Sequence, residues 1–286
     1  CVPVDLSVVL LYYNKRVMAD VGIAPPSTFE ELYAACKAIR DKGYIPLALG
    51  NKNRWPGCFY YVYGTARAEQ GRQAVQQAAK GEPDAFSHDA FGNAGELISR
   101  LTSNDVNAFN KGFQGVGTAD ARRLLMSDKA AMTLMGSWFI ANVKGEDESF
   151  LDQLGMAAFP KLSGTEDGAI VGGTNCAFTV SNKCEHPDAA KELMRYLTDD
   201  TFATKWAQTG RIPALTGAKP GDFSPHTYQA FELMQKASYV QMYFDQLFPP
   251  KLGEAHKETV QALLSGEMSS KEVQKRMNQV LTEQEK

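Results

Sequence analysis

Trp138 is the residue whose type and position best suit ligand recognition. The stretch Ala130-Ala-Met-Thr-Leu-Met-Gly-Ser-Trp138 predicts a short apolar strand that brings the ring to the edge of a sheet after a Gly-Ser turn. An indole has a large flat apolar face and one N–H donor, which suits stacking on sugars and other ring compounds. A core tryptophan that caps the sheet is the alternative, and the neighbouring candidates decide between the two.

A second group of candidates lies in the loop 50–57, which follows a predicted strand over 45–49. Folds of the α/β class place ligand sites at the ends of strands. The candidates in this loop are Asn51, Asn53, Arg54 and Trp55. Two alternatives stay open, since Trp55 could pack the loop against Pro56 and Arg54 could be a solvated charge.

Motifs for nucleotide, metal and covalent chemistry are absent from the sequence. There is no G-x-x-x-x-G-K, the stretch 115–120 lacks the third glycine of a dinucleotide fingerprint, and the four histidines are scattered. Ser137 has no glycine two residues later, which excludes a nucleophile elbow. We therefore predict no catalytic residue, no cofactor and no metal, although folding could still bring two carboxylates together as in a glycosidase.

Composition points to two lobes and to a neutral or weakly charged ligand. The 286 residues are 44% hydrophobic with a formal net charge of −3, which gives no support for a nucleic-acid partner. The sequence contains no run of eighteen apolar residues, so it predicts no membrane-spanning helix. Five cysteines without C-x-x-C spacing argue against a zinc site or a disulfide framework, and a pairing of Cys176 with Cys184 stays open.

The order of predicted elements is typical of an α/β protein. A buried strand over 6–13 precedes a helix that ends at Gly43, and we expect Ser27 and Glu30 to form its capping box. Strand 169–180 is interrupted by Gly172 and Gly173, which indicates a hinge or a close approach of a ligand. Two helices close the chain, the second starting at a capping box of Ser269 with Glu272.

Several motifs, in this order, resemble the extracellular solute-binding proteins of carbohydrate ABC importers. That group includes maltose-binding protein, and the resemblance is to its oligosaccharide-binding branch. The motifs are Leu11-Tyr-Tyr-Asn-Lys15, Val21-Gly-Ile-Ala-Pro-Pro-Ser-Thr-Phe-Glu-Glu-Leu32, Pro46-Leu-Ala-Leu-Gly50, Lys129-Ala-Ala-Met132 with Met135-Gly-Ser-Trp138, and His186-Pro-Asp-Ala-Ala-Lys-Glu192.

The resemblance implies an α/β fold like the type II periplasmic-binding proteins, with two lobes and a sugar in the cleft between them. We expect residues 6–172 and 215–286 to form a complete C-terminal lobe, with a mixed sheet flanked by helices. Residues 173–214 would return to the N-terminal lobe, the rest of which would be absent. The paired glycines would then lie at a crossover that acts as the hinge.

The resemblance also implies a role for each site residue. Trp138 falls on the sugar-stacking aromatic, and the residues of the 50–57 loop line the cleft. Thr174 and Asn175 lie at the crossover, although Asn175 could be a turn residue. The segment with Tyr243, Asp245 and Gln246 would supply another ring and a carboxylate that accepts from two vicinal hydroxyls. Tyr243 and Phe244 are expected to alternate, so that one is in the core if the other faces the cleft.

These expectations describe the substrate-binding component of an ABC sugar importer, located in the periplasm or at the cell surface. It would bind a di- or oligosaccharide, deliver it to the membrane permease subunits and perform no chemistry. Two rival classes stay open, a binding protein for a polyamine or a peptide and a glycoside-active enzyme.

Overall fold

The computed structural model describes residues 1–162, 166–215 and 217–283. Within the predicted C-terminal lobe, residues 163–165, 216 and 284–286 lie outside the described residues. The strands are β1 (Val2–Asn14), β2 (Ile45–Leu47), β3 (Ala130–Gly136), β4 (Leu154–Ala157), β5 (Ile170–Phe178), β6 (Ile212–Pro213) and β7 (Val240–Gln241).

Helices make up just under half of the chain. They are α1 (Lys15–Val21), α2 (Phe29–Asp41), α3 (Trp55–Arg67), α4 (Gly71–Ala79), α5 (Asp89–Thr102), α6 (Thr118–Met126), α7 (Trp138–Glu146), α8 (Pro187–Tyr196), α9 (Asp200–Gln208), α10 (Pro225–Gln235), α11 (Phe244–Leu247), α12 (Pro250–Leu264) and α13 (Ser270–Glu283). Across the described ranges, no helix is both long and apolar enough to cross a bilayer.

The long strand β1 organises the sheet, whose order is β2-β3-β1-β5-β7. Its second half pairs antiparallel with β3 and β4, and its first half pairs antiparallel with β5 and β6. Because β2–β3 and β5–β7 are parallel pairs, the sheet is mixed and the α/β prediction is confirmed.

The first strand begins at Val2, four residues earlier than the predicted Leu6. Pro3 and Asp5 interrupt the apolar run here, so the sequence does not look like a buried strand. The backbone nevertheless pairs with β5 from Val2 to Val8, with irregular register around Asp5. The partner strand, which is distant in sequence, supplies the hydrogen bonds that local sequence does not indicate.

At Gly172 the backbones of β1 and β5 come into close contact. A Cβ at this position would lie 2.2 Å from the Ser7 carbonyl oxygen, so only glycine fits. The neighbouring Gly173 has φ of 139°, which side-chain-bearing residues rarely adopt. The close contact at Gly172 is thus with β1 and not with a ligand, and the predicted hinge stays a prediction.

The core lies between the sheet and the helices α2, α3, α5, α12 and α13. The centre of β1 from Val8 to Tyr12 is fully buried, and α3 is buried from Pro56 to its end. The cap of α2 differs from the prediction by one residue, because Thr28 caps the Glu31 N–H while Ser27 donates to the Glu31 carboxylate. The predicted box of Ser269 with Glu272 is confirmed.

Residues 173–214 have few buried side chains. Helix α8 has none, and its Leu193 and Tyr196 are 57% and 70% exposed. This segment joins the rest of the protein through β5 and β6, which both pair with β1. All five cysteines are free thiols, so Cys176 and Cys184 are not paired here.

Candidate functional site

Trp138 occupies the junction between β3 and α7, as the first residue of the helix. Its six-membered ring lies directly over Gly136, where a Cβ would come within 2.3 Å of the ring carbons. The end of β3 is fixed from the other side, since Gly136 pairs with Val9 and the Val8 N–H donates to Ser137 Oγ at 3.4 Å. The partly buried indole is therefore held in a defined position by the strand that precedes it.

Trp55 lies beside Trp138 although the two are far apart in sequence. Their ring centroids are 5.9 Å apart and their planes are inclined at 66°. Trp55 begins α3, and the preceding Arg54 has a φ of 66°, which turns the chain sharply into the helix. Phe59, one turn later on the same face, lies 5.5 Å from Trp55 and 6.3 Å from Trp138.

The sequence analysis missed Phe59. Its spacing of four residues from Trp55 is the signal that could have identified it, since residues i and i+4 lie on the same helix face. Phe59 is buried and packs against both indoles, which are themselves partly buried.

Tyr243 completes the aromatic surface, 5.6 Å from Phe59 and 6.5 Å from Trp138. Its hydroxyl shares a hydrogen bond of 2.6 Å with Ser7 Oγ of β1, in the buried interior. Burial raises the pKa of Tyr243, so the hydroxyl stays neutral. Phe244 is core, as the alternation predicts, because it contacts Phe91 and Phe248.

Polar groups lie beside these rings on two other elements. Asp245 and Gln246 come from the short helix α11, and burial raises the pKa of the Asp245 carboxyl. Asn175, on β5, donates its amide N–H to Asp5 at 3.3 Å, and Arg211 donates to the same buried carboxylate oxygen at 3.2 Å. The Asn175 amide oxygen therefore remains available as an acceptor.

These side chains line one cleft of about 260 Å³. Its lining residues are Trp55, Phe59, Trp138, Asn175, Tyr243, Asp245 and Gln246. Six of the ten residues predicted from the sequence are thus brought together. The volume is close to the lower end of about 300–1,000 Å³ that ligand sites occupy.

The other four predicted residues lie outside this lining. Asn51 is fully buried and braces its own loop, because its Oδ1 accepts from the Gly57 N–H at 2.9 Å and its Nδ2 donates to Gln114 at 2.7 Å. Arg54 forms ion pairs of 3.3 Å with Glu254 and Glu258. Asn53 is exposed, and Thr174 pairs with Leu6 in the sheet.

The cleft offers a single carboxylate. Among the described residues that line it, Asp245 is the only acid, and no histidine or cysteine is present. No group of three His, Cys, Asp or Glu side chains in the described part of the chain could hold a metal ion. The arrangement can stack an apolar face and accept or donate hydrogen bonds, whereas acid–base catalysis of glycoside cleavage needs two opposed carboxyl groups.

Comparison with known proteins identifies a matching family and several relatives. The family described as bacterial extracellular solute-binding protein matches residues 1–235. A "Multiple sugar-binding protein" of Streptococcus mutans is 26% identical over 227 residues, which cover 78% of this chain and 53% of the relative. The chain thus spans about half the length of that relative.

Solved structures match over nearly the whole chain. One, from work on xylan utilization by Caldanaerobius polysaccharolyticus, has a TM-score of 0.87 at 26% identity and covers 97% of this chain and 71% of that one. A "Chitin oligosaccharide binding protein" matches with a TM-score of 0.86 at 24% identity, over 99% of this chain and 71% of that one. The second likeness shows the fold alone.

Proposed function

The chain belongs to the family of bacterial extracellular solute-binding proteins, and from this premise we propose that it is the solute-binding component of an ABC sugar importer. Its cleft binds a di- or oligosaccharide and releases it unchanged to the membrane permease subunits. We propose that it acts in the periplasm or at the cell surface, and the description of the family as extracellular supports this location.

One observation carries the proposal, namely two partly buried indoles that line a cleft, inclined at 66° beside a carboxylate and two amides. The C–H faces of sugar rings stack on indole surfaces, while hydroxyl groups bind to Asp245, Gln246 and Asn175. A desolvated carboxylate such as Asp245 is a strong acceptor for two neighbouring hydroxyls. The name of the relative from Streptococcus mutans supports a carbohydrate ligand.

The two rival functions have less support. A polyamine site would need several carboxylates to bind several cationic nitrogens, and the described lining contains only Asp245. A glycoside-active enzyme would need a second carboxyl group opposite the first. A binding protein without chemistry is the function that fits the lining.

We extend the proposal to the domain organisation, with residues 6–172 and 215–286 in one lobe and 173–214 in the other. The support is the contrast in burial: β1 and α3 are deeply buried, whereas α8 has no buried side chain and exposes Leu193 and Tyr196. An isolated helix of this length is marginal in water, so α8 needs a partner surface. The cleft then forms one wall of the sugar site, and the second lobe forms the other.

The test is a fluorescence titration of the 286-residue chain carrying Trp206→Phe, in which Trp55 and Trp138 are the remaining tryptophans. The ligands are maltotriose, xylotriose, chitotriose and raffinose, with spermidine and a tripeptide as alternatives. A micromolar Kd corresponds to a binding free energy of about −8 kcal/mol. If the other lobe supplies half of this free energy, about −4 kcal/mol remains for the present chain, which corresponds to a millimolar Kd.

We expect at least one sugar to change the emission saturably at millimolar concentration, and Trp138→Ala to abolish the response. A response to spermidine or to the peptide alone would show that the ligand is a different solute and would contradict the proposal of a sugar. Micromolar binding by this chain would contradict the proposed sharing of the site between two lobes.

A further inference from the structure

A second cavity contains a buried arginine that forms no ion pair within 4.0 Å with any described carboxylate. It has a volume of about 250 Å³ and shares no lining residue with the aromatic cleft. Its walls come from the loop before α2, from residues 157–161 and from Arg67, the last residue of α3. Arg67 is only 3% exposed, so its guanidinium is a charge inside the protein.

Backbone carbonyls use only part of the hydrogen-bonding capacity of Arg67. Its Nε donates to the Ala169 carbonyl at 2.9 Å, and its Nη1 donates to the carbonyls of Phe159 and Pro160. Its Nη2 makes no hydrogen bond with any residue that the structure describes. A guanidinium has five N–H groups, so two donors are not used by any described residue.

The charge of Arg67 also lacks an ion-pair partner. No carboxylate oxygen of the described residues lies within 4.0 Å of it, and residues 163–165, which follow the cavity wall in the chain, are Ser, Gly and Thr. Asp167 lines the cavity, and its negative charge partly offsets the effect of burial, which lowers the pKa of Arg67. Its Oδ1 accepts from the Leu162 N–H at 2.8 Å. Because Arg67 and Lys161 face this one carboxylate, the described lining keeps one uncompensated positive charge, which favours a ligand with a single negative charge.

Lys161 is the second cation of the cavity, and it forms no ion pair within the described ranges. The remaining walls include Pro25, Pro26 and Phe159, which are apolar, so the ligand should have an apolar portion as well as a charge.

We propose that this cavity binds a small organic monocarboxylate. The carboxylate accepts from Arg67 Nη2 and from Lys161 Nζ, and a short carbon chain packs among Pro25, Pro26 and Phe159. One water occupies about 30 Å³ in the liquid, so a cavity of about 250 Å³ has room for an acid of a few carbons. The site is separate from the proposed sugar site, and either can exist without the other.

The test is a titration of the 15N-labelled chain with butyrate, followed by the backbone amide resonances. Butyramide serves as the neutral ligand of the same shape, and sodium chloride serves as the control for ionic strength. We expect butyrate to shift the amides of Ser27, Ala158 and Lys161 saturably, and butyramide to bind at least about tenfold more weakly, because a neutral amide forms weaker hydrogen bonds with charged donors than a carboxylate does.

Two variants separate a ligand site from a purely structural role of Arg67. Lys161→Gln should weaken butyrate binding about tenfold, whereas Lys236→Gln, at an exposed lysine elsewhere, should not. Ala158→Leu, at an exposed position on the cavity wall, should block binding without unfolding the protein. Equal shifts with chloride, equal affinity for butyramide, or binding unaffected by Ala158→Leu would each overturn the proposal.

Discussion

At the scale of single residues, the site combines aromatic side chains in fixed positions with one carboxylate whose burial disfavours its charged form. Trp138 is fixed over Gly136, and Tyr243 is fixed by its hydrogen bond to Ser7. Asp245 is different, because burial raises the pKa of its carboxyl and no ion pair stabilises its charge within the described residues. Such a group destabilises the folded protein at neutral pH, which is typical of a residue retained for binding.

Replacing Asp245 by Asn should separate binding from stability. We expect sugar affinity to fall about tenfold to a hundredfold, since hydrogen bonds to a charged acceptor contribute about 1.5–3 kcal/mol. The free energy of unfolding at pH 7 should stay the same or rise. Because the folded pKa is raised, this difference from wild type should shrink as the pH falls through the folded pKa.

Titration calorimetry and urea unfolding measure the two effects of Asp245→Asn. Asp41→Asn, at an exposed position, is the matched control and should change neither quantity. A loss of stability at pH 7 that matches the loss of affinity would show that Asp245 is structural.

At the scale of elements, the junction between β3 and α7 sets the position of the indole. Strand β3 lies inside the sheet between β2 and β1, so its carboxyl end cannot shift without disturbing both neighbours. Helix α7 begins immediately at Trp138, and Ser137 alone separates the two elements. Because the indole packs against Gly136, its position in the cleft is fixed relative to the sheet.

Gly136→Ala should disturb this junction. The added Cβ would lie 2.3 Å from the ring, so Trp138 must move, and overpacking of this kind costs about 1–3 kcal/mol. We expect a lower unfolding temperature and weaker sugar binding, measured by calorimetry. Gly145→Ala in the same helix meets nothing within 4 Å and should be neutral or stabilising by about 0.5–1 kcal/mol. Equal behaviour of the two variants would contradict the account of the junction.

Helix α8 should be the least protected element of comparable length. Its side chains are all at least partly exposed, and few buried contacts oppose its opening. Hydrogen exchange followed by mass spectrometry should show rapid exchange over 187–196 and slow exchange over the centre of β1. Similar protection of the two segments would mean that α8 does not need a partner surface.

For the whole molecule, the pH dependence of stability has an identifiable contributor in His256. The imidazole is buried between Tyr61 and Phe244, with ring centroids 5.5 and 5.2 Å away. Burial lowers the pKa of His256 from 6.5 to about 3. The folded protein therefore keeps this side chain neutral at a pH where the unfolded chain protonates it.

The free energy of unfolding should consequently fall as the pH decreases below about 6.5, by up to about 1.4 kcal/mol per pH unit from this group. The loss should end near pH 3, where the folded form also binds the proton. His256→Phe should show a shallower fall between pH 7 and 4 in urea unfolding, and His186→Gln, at an exposed histidine, should keep the wild-type slope. Identical slopes for all three proteins would exclude His256 as the source.

Local patterns predicted the fold better than the site. The apolar run of β1 and the box of Ser269 with Glu272 were evident because they depend on near neighbours in sequence. Asn51 shows where such prediction fails. Its residue type suits a contact with a sugar, but in the structure its hydrogen bonds to Gly57 and Gln114 stabilise its own loop. The pairing of Trp55 with Trp138 depends on how two distant elements pack, which no local pattern contains.

The central claim is that Trp55 and Trp138 form a surface that binds sugar rings. The three tryptophans give three indole N–H resonances, which single Trp→Phe variants assign, and Trp206 in α9 serves as an internal reference. We predict that an oligosaccharide that binds shifts the resonances of Trp55 and Trp138 saturably, with the same midpoint in the millimolar range for both. The resonance of Trp206 should not shift. Shifts at Trp206 with no change at Trp55 and Trp138 would contradict the account.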